Sequence, residues 1–247
     1  MTLLAAAGIG LAIGFLGGMF GKGGSAIATP LLAAVGVPAI VAVAAPLPAT
    51  IPSTFAASSV YWHARLIDWR IVRWSLGFGI PATIVGAVAT HWIGGTALVT
   101  VTDCVLVVLG LRFLVARDTD LADPVDPPRD SAWLLAAVAT AVGLISGLLA
   151  NSGGFLLAPL YLAVLRLPVK AAFASSLAVA TVLAVPGTIV HTVLGHIDWV
   201  LVAVFAVTSV PLSFLGAKVA LRTDPKRLER AYGAVIGVLG IVFLIAR

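Results

Sequence analysis

Residues 64–73, Ala-Arg-Leu-Ile-Asp-Trp-Arg-Ile-Val-Arg, return 130 positions later as residues 194–203, Leu-Gly-His-Ile-Asp-Trp-Val-Leu-Val-Ala. The shared Ile-Asp-Trp points to a duplication, and the loss of all three arginines points to a change of side. The register extends outward. A shift of 130 also superposes Pro38 on Pro168, Pro81 on Pro211, Gly86 on Gly216 and Val108-Leu109-Gly110 on Val238-Leu239-Gly240. A shift of 129 superposes Gly14 on Gly143, Gly18 on Gly147, Gly24 on Gly153 and Pro30 on Pro159. One single-residue slip reconciles the two. Matching Leu or Val means little between apolar helices, whereas Gly, Pro and Ile-Asp-Trp in register are uncommon residues. Two halves follow, 1–116 and 131–247, joined by an acidic linker, 117–130.

The medium is set by composition. Of 247 residues, 61% are apolar and 10% charged, with a mean hydropathy of +1.13. A soluble domain carries about 25% charged residues. This chain reads as a polytopic integral membrane protein, its spans needing roughly 20 apolar residues each. The first ten residues read as the first membrane element, not as a cleaved signal. Cys104 is the single cysteine, so no internal disulfide is expected. The net charge of +5 bears on orientation, not on nucleic acid.

Both halves share one plan. A Gly-rich apolar segment (3–20; 133–150) is broken by a polar Gly cluster, and a short arm follows (25–36; 154–165). Three longer segments come next: 39–62, 71–91 and 96–116, then 171–194, 199–221 and 229–246. Equivalent loops differ in charge. Arg65, Arg70 and Arg73 have no counterpart near Gly195–Asp198. Lys218, Arg222, Lys226, Arg227 and Arg230 face an uncharged His91–Thr96, and Arg166 and Lys170 face an uncharged Val35–Pro38. Basic residues collect on the cytoplasmic side, so equivalent loops are expected on opposite sides. That requires an odd number of crossings per half. The broken segment and its arm then form a re-entrant hairpin, since a 12-residue arm rises only ~18 Å. The expected fold is therefore all-α: two inverted-topology repeats, each a Gly-broken re-entrant hairpin plus three transmembrane helices, with both termini outside.

The hairpin tips carry the candidate site. They read Gly21-Lys22-Gly23-Gly24-Ser25 and Ala150-Asn151-Ser152-Gly153-Gly154. Non-helical backbone at membrane depth persists only when buried in protein or lining a wet cavity. Each tip precedes a helical arm, so its free N–H groups sit at a helix N-terminus, which attracts anions. Inversion would bring the tips together near the midplane, where inverted-repeat transporters hold substrate. Lys22 adds a full positive charge. The bland alternative, that Gly-rich tips only permit close helix packing, explains the glycines and not Lys22. Pro46, Pro48 and Pro52 crowd segment 39–62 and could break it beside the site, exposing Thr50, Ser53 and Thr54; a packing kink is the alternative. Asp103 is an intramembrane acid that either pairs or couples a proton, or sits shallow and wet. Asp68-Trp69 and Asp198-Trp199 read as interfacial anchors, and His63, His91, His191 and His196 read as interfacial without metal-ligand spacing. No nucleophile–base pair, dinucleotide fingerprint or phosphate loop is present, so no enzyme, cofactor or metal is expected.

The paired glycine clusters ahead of Pro30 and Pro159, with Ile-Asp-Trp ahead of a later helix, resemble the TauE/SafE sulfite-exporter family of anion permeases over nearly the whole chain. The resemblance implies a permease of the bacterial inner membrane that moves sulfite, organosulfonates or related anions. It also marks departures. Lys22 and Asn151 stand where the family usually has an apolar residue. A Gly-Thr-Ser frequent in the next helix is Ala174-Ser175-Ser176 in the second half but Ala44-Ala45-Pro46 in the first. Ser175 and Ser176 are thus further candidate substrate ligands, with Lys22 standing in for hydroxyls the first half lacks.

The leading expectation is a secondary carrier, an exporter, of a small anion by alternating access. The alternatives are an anion channel of the same fold and a membrane assembly or cofactor-handling protein that moves nothing alone. The expected partners are the small anion and the lipid bilayer, with a homodimer left open and no nucleic acid.

Overall fold

A computed structural model describes residues 2–21, 25–93, 97, 98, 100, 101, 104, 132–150 and 152–245. All the regular structure among them is helical. In chain order the helices are α1 (Thr2–Phe20), α2 (Ser25–Ala34), α3 (Ala39–Ala44), α4 (Pro46–His63) and α5 (Trp69–Ala89), closed by a 3₁₀ turn, Thr90–Trp92. They continue as α6 (Ala132–Leu148), α7 (Gly154–Ala163), α8 (Val169–Val193), α9 (Trp199–Arg222) and α10 (Pro225–Ile245). Five stretches, Leu3–Phe20, Ala39–His63, Trp69–Trp92, Val169–Val193 and Trp199–Arg222, are long and apolar enough to cross a membrane. The ten-residue α2 and α7 would each rise only ~15 Å, half a bilayer core. The surface suits lipid. Leu4, Phe55, Val193 and Val207 are exposed, and Trp62, Trp69, Trp92, Trp133 and Trp199 are exposed at helix ends, where the headgroup level holds indole rings.

Local signals explain the boundaries. Asp68 and Asp198 are N-caps: each carboxylate accepts two backbone N–H bonds, from Arg70 and Ile71 and from Val200 and Leu201. Such caps satisfy donors that a helix start leaves unpaired. The anchor reading of these aspartates therefore gains a second role. The break expected in segment 39–62 falls at Ala45, between α3 and α4. Pro46 and Pro48 supply no N–H there, so the carbonyls four residues upstream lose their usual donors.

Packing follows the duplication. The two most extensive helix contacts are α1 with α9 and α5 with α6. In the first, Gly14 and Gly18 lie so close to the Ser209 and Ser213 backbone that any Cβ would overlap it. In the second, Gly143 and Gly147 lie as close to Gly79 and Thr83, 130 residues before those serines. Lipid supplies no hydrophobic drive between helices, so small residues that admit close van der Waals contact hold the pairs. The glycines that revealed the duplication are thus mostly helix-contact residues. Between these pairs α4 crosses α8 antiparallel, with Thr54 opposite Thr181 and Leu47 opposite Gly187. The start of α8 is tied to the 64–68 loop by Asp68 N–H to Ser175 Oγ (2.9 Å), and to the end of α9 by Lys170 Nζ to the Leu221 carbonyl (2.8 Å). At the other end, Val37 and Ile197 share one apolar cluster. There Val88, His91 and Trp92 border the same apolar cavity, about 430 Å³, as Val190, Val193 and Leu194. Phe20, Phe173 and Tyr232 pack ring on ring and seat α10 against α1 and α8.

Candidate functional site

Helix α4 buries four hydroxyls, those of Thr50, Ser53, Thr54 and Ser58. Thr50, Ser53 and Thr54, all buried, line a tight cavity of about 10 Å³ together with Gly14, Gly17 and Gly18 of α1, Leu177 of α8, and Ser209 and Ser213 of α9. That volume admits about one water. The prolines and hydroxyls of α4 act together. Thr50 Oγ1 donates to the Pro46 carbonyl (3.0 Å), and Thr54 Oγ1 donates to the Thr50 carbonyl (2.7 Å). Thr181 Oγ1 reaches Thr54 Oγ1 at 2.9 Å from α8, and Ser213 Oγ donates to the Ser53 carbonyl from α9. Ser209 differs. It is 4% exposed, lines the cavity, and its Oγ has no hydrogen-bond partner among the described residues. A buried hydroxyl without a partner costs roughly 1–3 kcal/mol, so it is a donor awaiting an acceptor.

The opposite half carries other residues at most of the cavity's positions. Thr50, Ser53 and Thr54 correspond at the 130-residue shift to Ala180, Leu183 and Ala184, and Ser209 corresponds to Gly79. Ser213 corresponds to Thr83, which is also buried and whose Oγ1 has no hydrogen-bond partner among the described residues. Among the described residues, none that lines the cavity is charged.

The other expected ligands lie elsewhere. Ser175 Oγ accepts the Asp68 N–H, and Ser176 Oγ lies 2.7 Å from the Gly21 carbonyl and 2.9 Å from the Phe173 carbonyl. Both therefore already hold backbone, at the basic end of α8. Ser152, Gly153 and Gly154 are buried, and Gly153 (φ 73°) caps α7 with no side-chain cap bond. Ser25 begins α2. Lys22, Gly23, Gly24, Asn151 and Asp103 lie outside the described residues. Among the described flanks of the two tips, Phe20 shares one apolar cluster with Phe155 and Leu156. Gly21 rests on Phe173, whereas Leu149 and Ala150 cluster with Val43, Ala44 and Leu47. Leu47 faces Gly187, so these flanking residues touch levels of α8 about 21 Å apart at 1.5 Å per residue. The hydroxyl cavity falls between them.

Two features escape a reading of the sequence alone. Ser209 and Ser213 lie one turn apart in an apolar helix, and only the seating of α9 on α1 and α4 gives them a role. His191, expected at the interface, is fully buried. Its Nδ1 lies 3.1 Å from His196 Nδ1. Its ring sits beside the Gly147 backbone. His63 is exposed, with Nδ1 2.6 Å from the Ser59 carbonyl, as an interfacial residue should be.

Sequence comparisons agree with the membrane architecture. A "Probable membrane transporter protein" of Methanocaldococcus jannaschii is 25% identical over 96% of this chain and 93% of its own. One from Xylella fastidiosa is 27% identical over 97% of this chain and 94% of its own. One from Bacillus subtilis is 24% identical over 94% and 96%. No solved structure matches. The family model described as sulfite exporter TauE/SafE matches residues 6–243. The protein is a membrane transporter of multi-pass architecture, and its chain belongs to the sulfite exporter TauE/SafE family.

Proposed function

We propose that this transporter is a secondary carrier that exports a small anion, sulfite or an organosulfonate, across the bacterial inner membrane by alternating access. The carrying observation is the hydroxyl cavity at the α4–α8 crossing, with Ser209 Oγ buried and without an acceptor among the described residues. Sulfur oxyanions are acceptor-rich and match a cluster of hydroxyl donors. The cavity is too small for such an anion as it stands. Binding therefore requires α1 and α9 to part from α4, which favours a carrier that occludes over an open channel.

Two inverted halves, 1–116 and 131–247, would supply that motion. Supporting this, the 64–68 loop bonds to the start of α8, while its counterpart, through Ile197, clusters with Val37 at the other end. The short α2 and α7 support re-entrant hairpins, α1–α2 and α6–α7. The first tip, with Lys22, Gly23 and Gly24 ahead of Ser25, and the second, with Asn151, Ser152, Gly153 and Gly154, would then gate the cavity from opposite sides. Termini face out in this arrangement, and any homodimer leaves the site within one chain.

The test is a thermal-shift screen of the purified chain against sulfite, sulfate, thiosulfate, isethionate and simple carboxylates, followed by flux in proteoliposomes. A selective binder stabilises the native state by mass action. Stabilisation by a sulfur oxyanion and saturable flux are expected. No stabilisation and no flux, or flux that never saturates, overturns the carrier.

A further inference from the structure

Two buried hydroxyl oxygens without a hydrogen-bond partner among the described residues, Thr83 Oγ1 and Thr188 Oγ1, flank α8 where it passes Gly187. Thr83 is fully buried. Its methyl, from α5, comes within 3.8 Å of where a Gly187 Cβ would stand, and Leu47, from α4, comes within 3.0 Å. Thr188 follows on α8 itself, one turn past Ala184. Leu47 and Ala184 belong to one buried cluster with Val43, Ala44, Leu149 and Ala150. The C-terminal ends of α3 and α6 therefore meet at this level of α8.

A hydroxyl serves either sign of ion, donating to an anion or turning its lone pairs to a cation. The backbone decides here. Pro46 and Pro48 offer no N–H to the Ala42 and Ala44 carbonyls, and the last carbonyls of α6 stand beyond its helical donors. Ala42, Ala44, Leu149 and Ala150 are fully buried. A helix C-terminal end carries the negative pole of its dipole. The opposing N-termini count for less. Two of the first three residues of α4 are prolines, and α7 starts beside Val142 and Ser146 and buries Phe155 and Leu156 in a different cluster. The site holds no charge of its own. Neither Asp nor Glu stands on α3, α4, α5, α6 or α8, and Arg70, Arg73 and Lys170 lie at the opposite ends of α5 and α8. Divalent Ca²⁺ and Mg²⁺ draw on carboxylates. No group of three His, Cys, Asp or Glu among the described residues could hold a metal ion. Neutral oxygens alone suit a hard monovalent cation.

We propose that the junction of the α3 and α6 ends is a Na⁺ site, with Thr83 Oγ1, Thr188 Oγ1 and the Ala42 and Ala44 carbonyls as its ligands. Membrane carriers hold Na⁺ at unwound carbonyls and helix C-terminal ends of this kind. Thr181 reaches Thr54 at the hydroxyl cavity, and Gly187 stands six residues further along α8, so the two sites are about 9 Å apart at 1.5 Å per residue. Resting on the anion reading of that cavity, a cation so placed strengthens anion binding, and the anion strengthens cation binding by the same factor.

The test is the Tm of the full chain in nanodiscs at about pH 8, where free imidazole is neutral. NaCl is exchanged for choline chloride, so chloride and ionic strength stay fixed. Na⁺ should raise Tm saturably by mass action, and choline should not. Thr83→Val and Thr188→Val keep the shape and remove the hydroxyl. Each should raise the half-saturating Na⁺ concentration several-fold and leave Tm in choline unchanged or higher, and Thr83→Ser should restore the wild-type response. A Tm indifferent to Na⁺, or a wild-type Na⁺ response in both valine variants, overturns the site and leaves at most a buried water there. Sulfite is then titrated in Na⁺ and in choline. Its Kd should be several-fold lower in Na⁺, and equal values overturn the coupling. If sulfite binds in neither medium, the anion reading of the cavity fails, and the Na⁺ titration alone decides this site.

Discussion

Ser175 Oγ accepts the backbone N–H of Asp68 at 2.9 Å, a hydrogen bond between residues 107 positions apart. Asp68 caps α5 with its own carboxylate, so its amide would otherwise lie unpaired at the half-buried start of that helix. One serine thus fixes where α5 begins relative to α8. The pseudo-equivalent cannot form, because Ala45 stands where a partner for the Asp198 amide would be. The halves are held differently at their two ends, and the end with the serines is the more firmly tied.

Ser175→Ala removes the only acceptor described for that amide. The expected loss is about 1 kcal/mol, the usual scale of one hydrogen bond at a half-buried donor, read as a lower Tm in detergent. Anion binding, measured as the extra Tm gained with saturating sulfite, should change little. A mutant of wild-type stability with lost anion response would make Ser175 a ligand instead.

The glycine contacts separate packing from permissive space. A Cβ on Gly18 would overlap the Ser213 backbone, and one on Gly147 would overlap the Thr83 backbone, whereas Gly8 has nothing within 4 Å. Gly18→Ala and Gly147→Ala should each cost about 1–3 kcal/mol through overpacking. Gly8→Ala should be neutral or stabilise by up to about 1 kcal/mol, since Ala is the better helix former. Comparable effects at all three positions would refute the close α1–α9 and α5–α6 contacts.

Element boundaries were largely legible in the sequence because each has a local cause. Ile-Asp-Trp announced the starts of α5 and α9, and Pro38 and Pro168 stand immediately before α3 and α8. The acidic residue of Ile-Asp-Trp was read for its indole neighbour, and its capping role needed the carboxylate geometry. Thr50, Ser53 and Thr54 were legible because three prolines drew attention to their turn. Ser209 and Ser213 were not, since two serines one turn apart in an apolar helix fit close helix packing equally well. His191 misled for a related reason. Two residues from a helix end is a surface position by count, and only α6 and the 194–198 loop closing over it make it buried.

Partial burial, with His91 beside it, holds His196 below its ordinary pKa of 6.5. The sign follows from proton counting. Below 6.5 the unfolded chain binds more protons at this residue than the folded one, so folding stability rises with pH there and is lost as pH falls. Above 6.5 the contribution is complete. His196→Leu should flatten the acid limb of a Tm–pH curve and leave the limb above pH 6.5 parallel to wild type. An identical acid limb would mean that His196 is effectively solvated.

Lys22 precedes α2 in the glycine tip and is proposed as an anion ligand at the cavity's gate. Lys22→Met keeps the length and removes the charge. It should abolish sulfite-dependent stabilisation and flux while leaving the empty protein as stable or more stable, because an unpaired cation in a membrane interior is costly. Lys22→Arg should retain part of the binding and slow transport, since a planar guanidinium fits a glycine turn poorly. Normal transport by Lys22→Met would place the lysine at the surface.

Ser209 distinguishes a binding cavity from a packing defect. Its hydroxyl is buried, faces the space between α1, α4 and α9, and has no partner among the described residues, whereas Ser213 one turn later bonds the Ser53 carbonyl. Replacing a hydroxyl that makes a bond should destabilise; replacing one that makes none removes a desolvation penalty. Ser213→Ala should therefore lower Tm, and Ser209→Ala should hold or raise it. If the Ser209 hydroxyl is kept for the anion, Ser209→Ala should also weaken sulfite binding by about 1 kcal/mol, roughly five-fold in Kd. The pairing of opposite signs, a more stable empty protein with a weaker ligand response, is what a donor reserved for substrate predicts. A Ser209→Ala protein that is more stable and binds sulfite as well as wild type would make the cavity a void in the packing and move the search for ligands back to the hairpin tips.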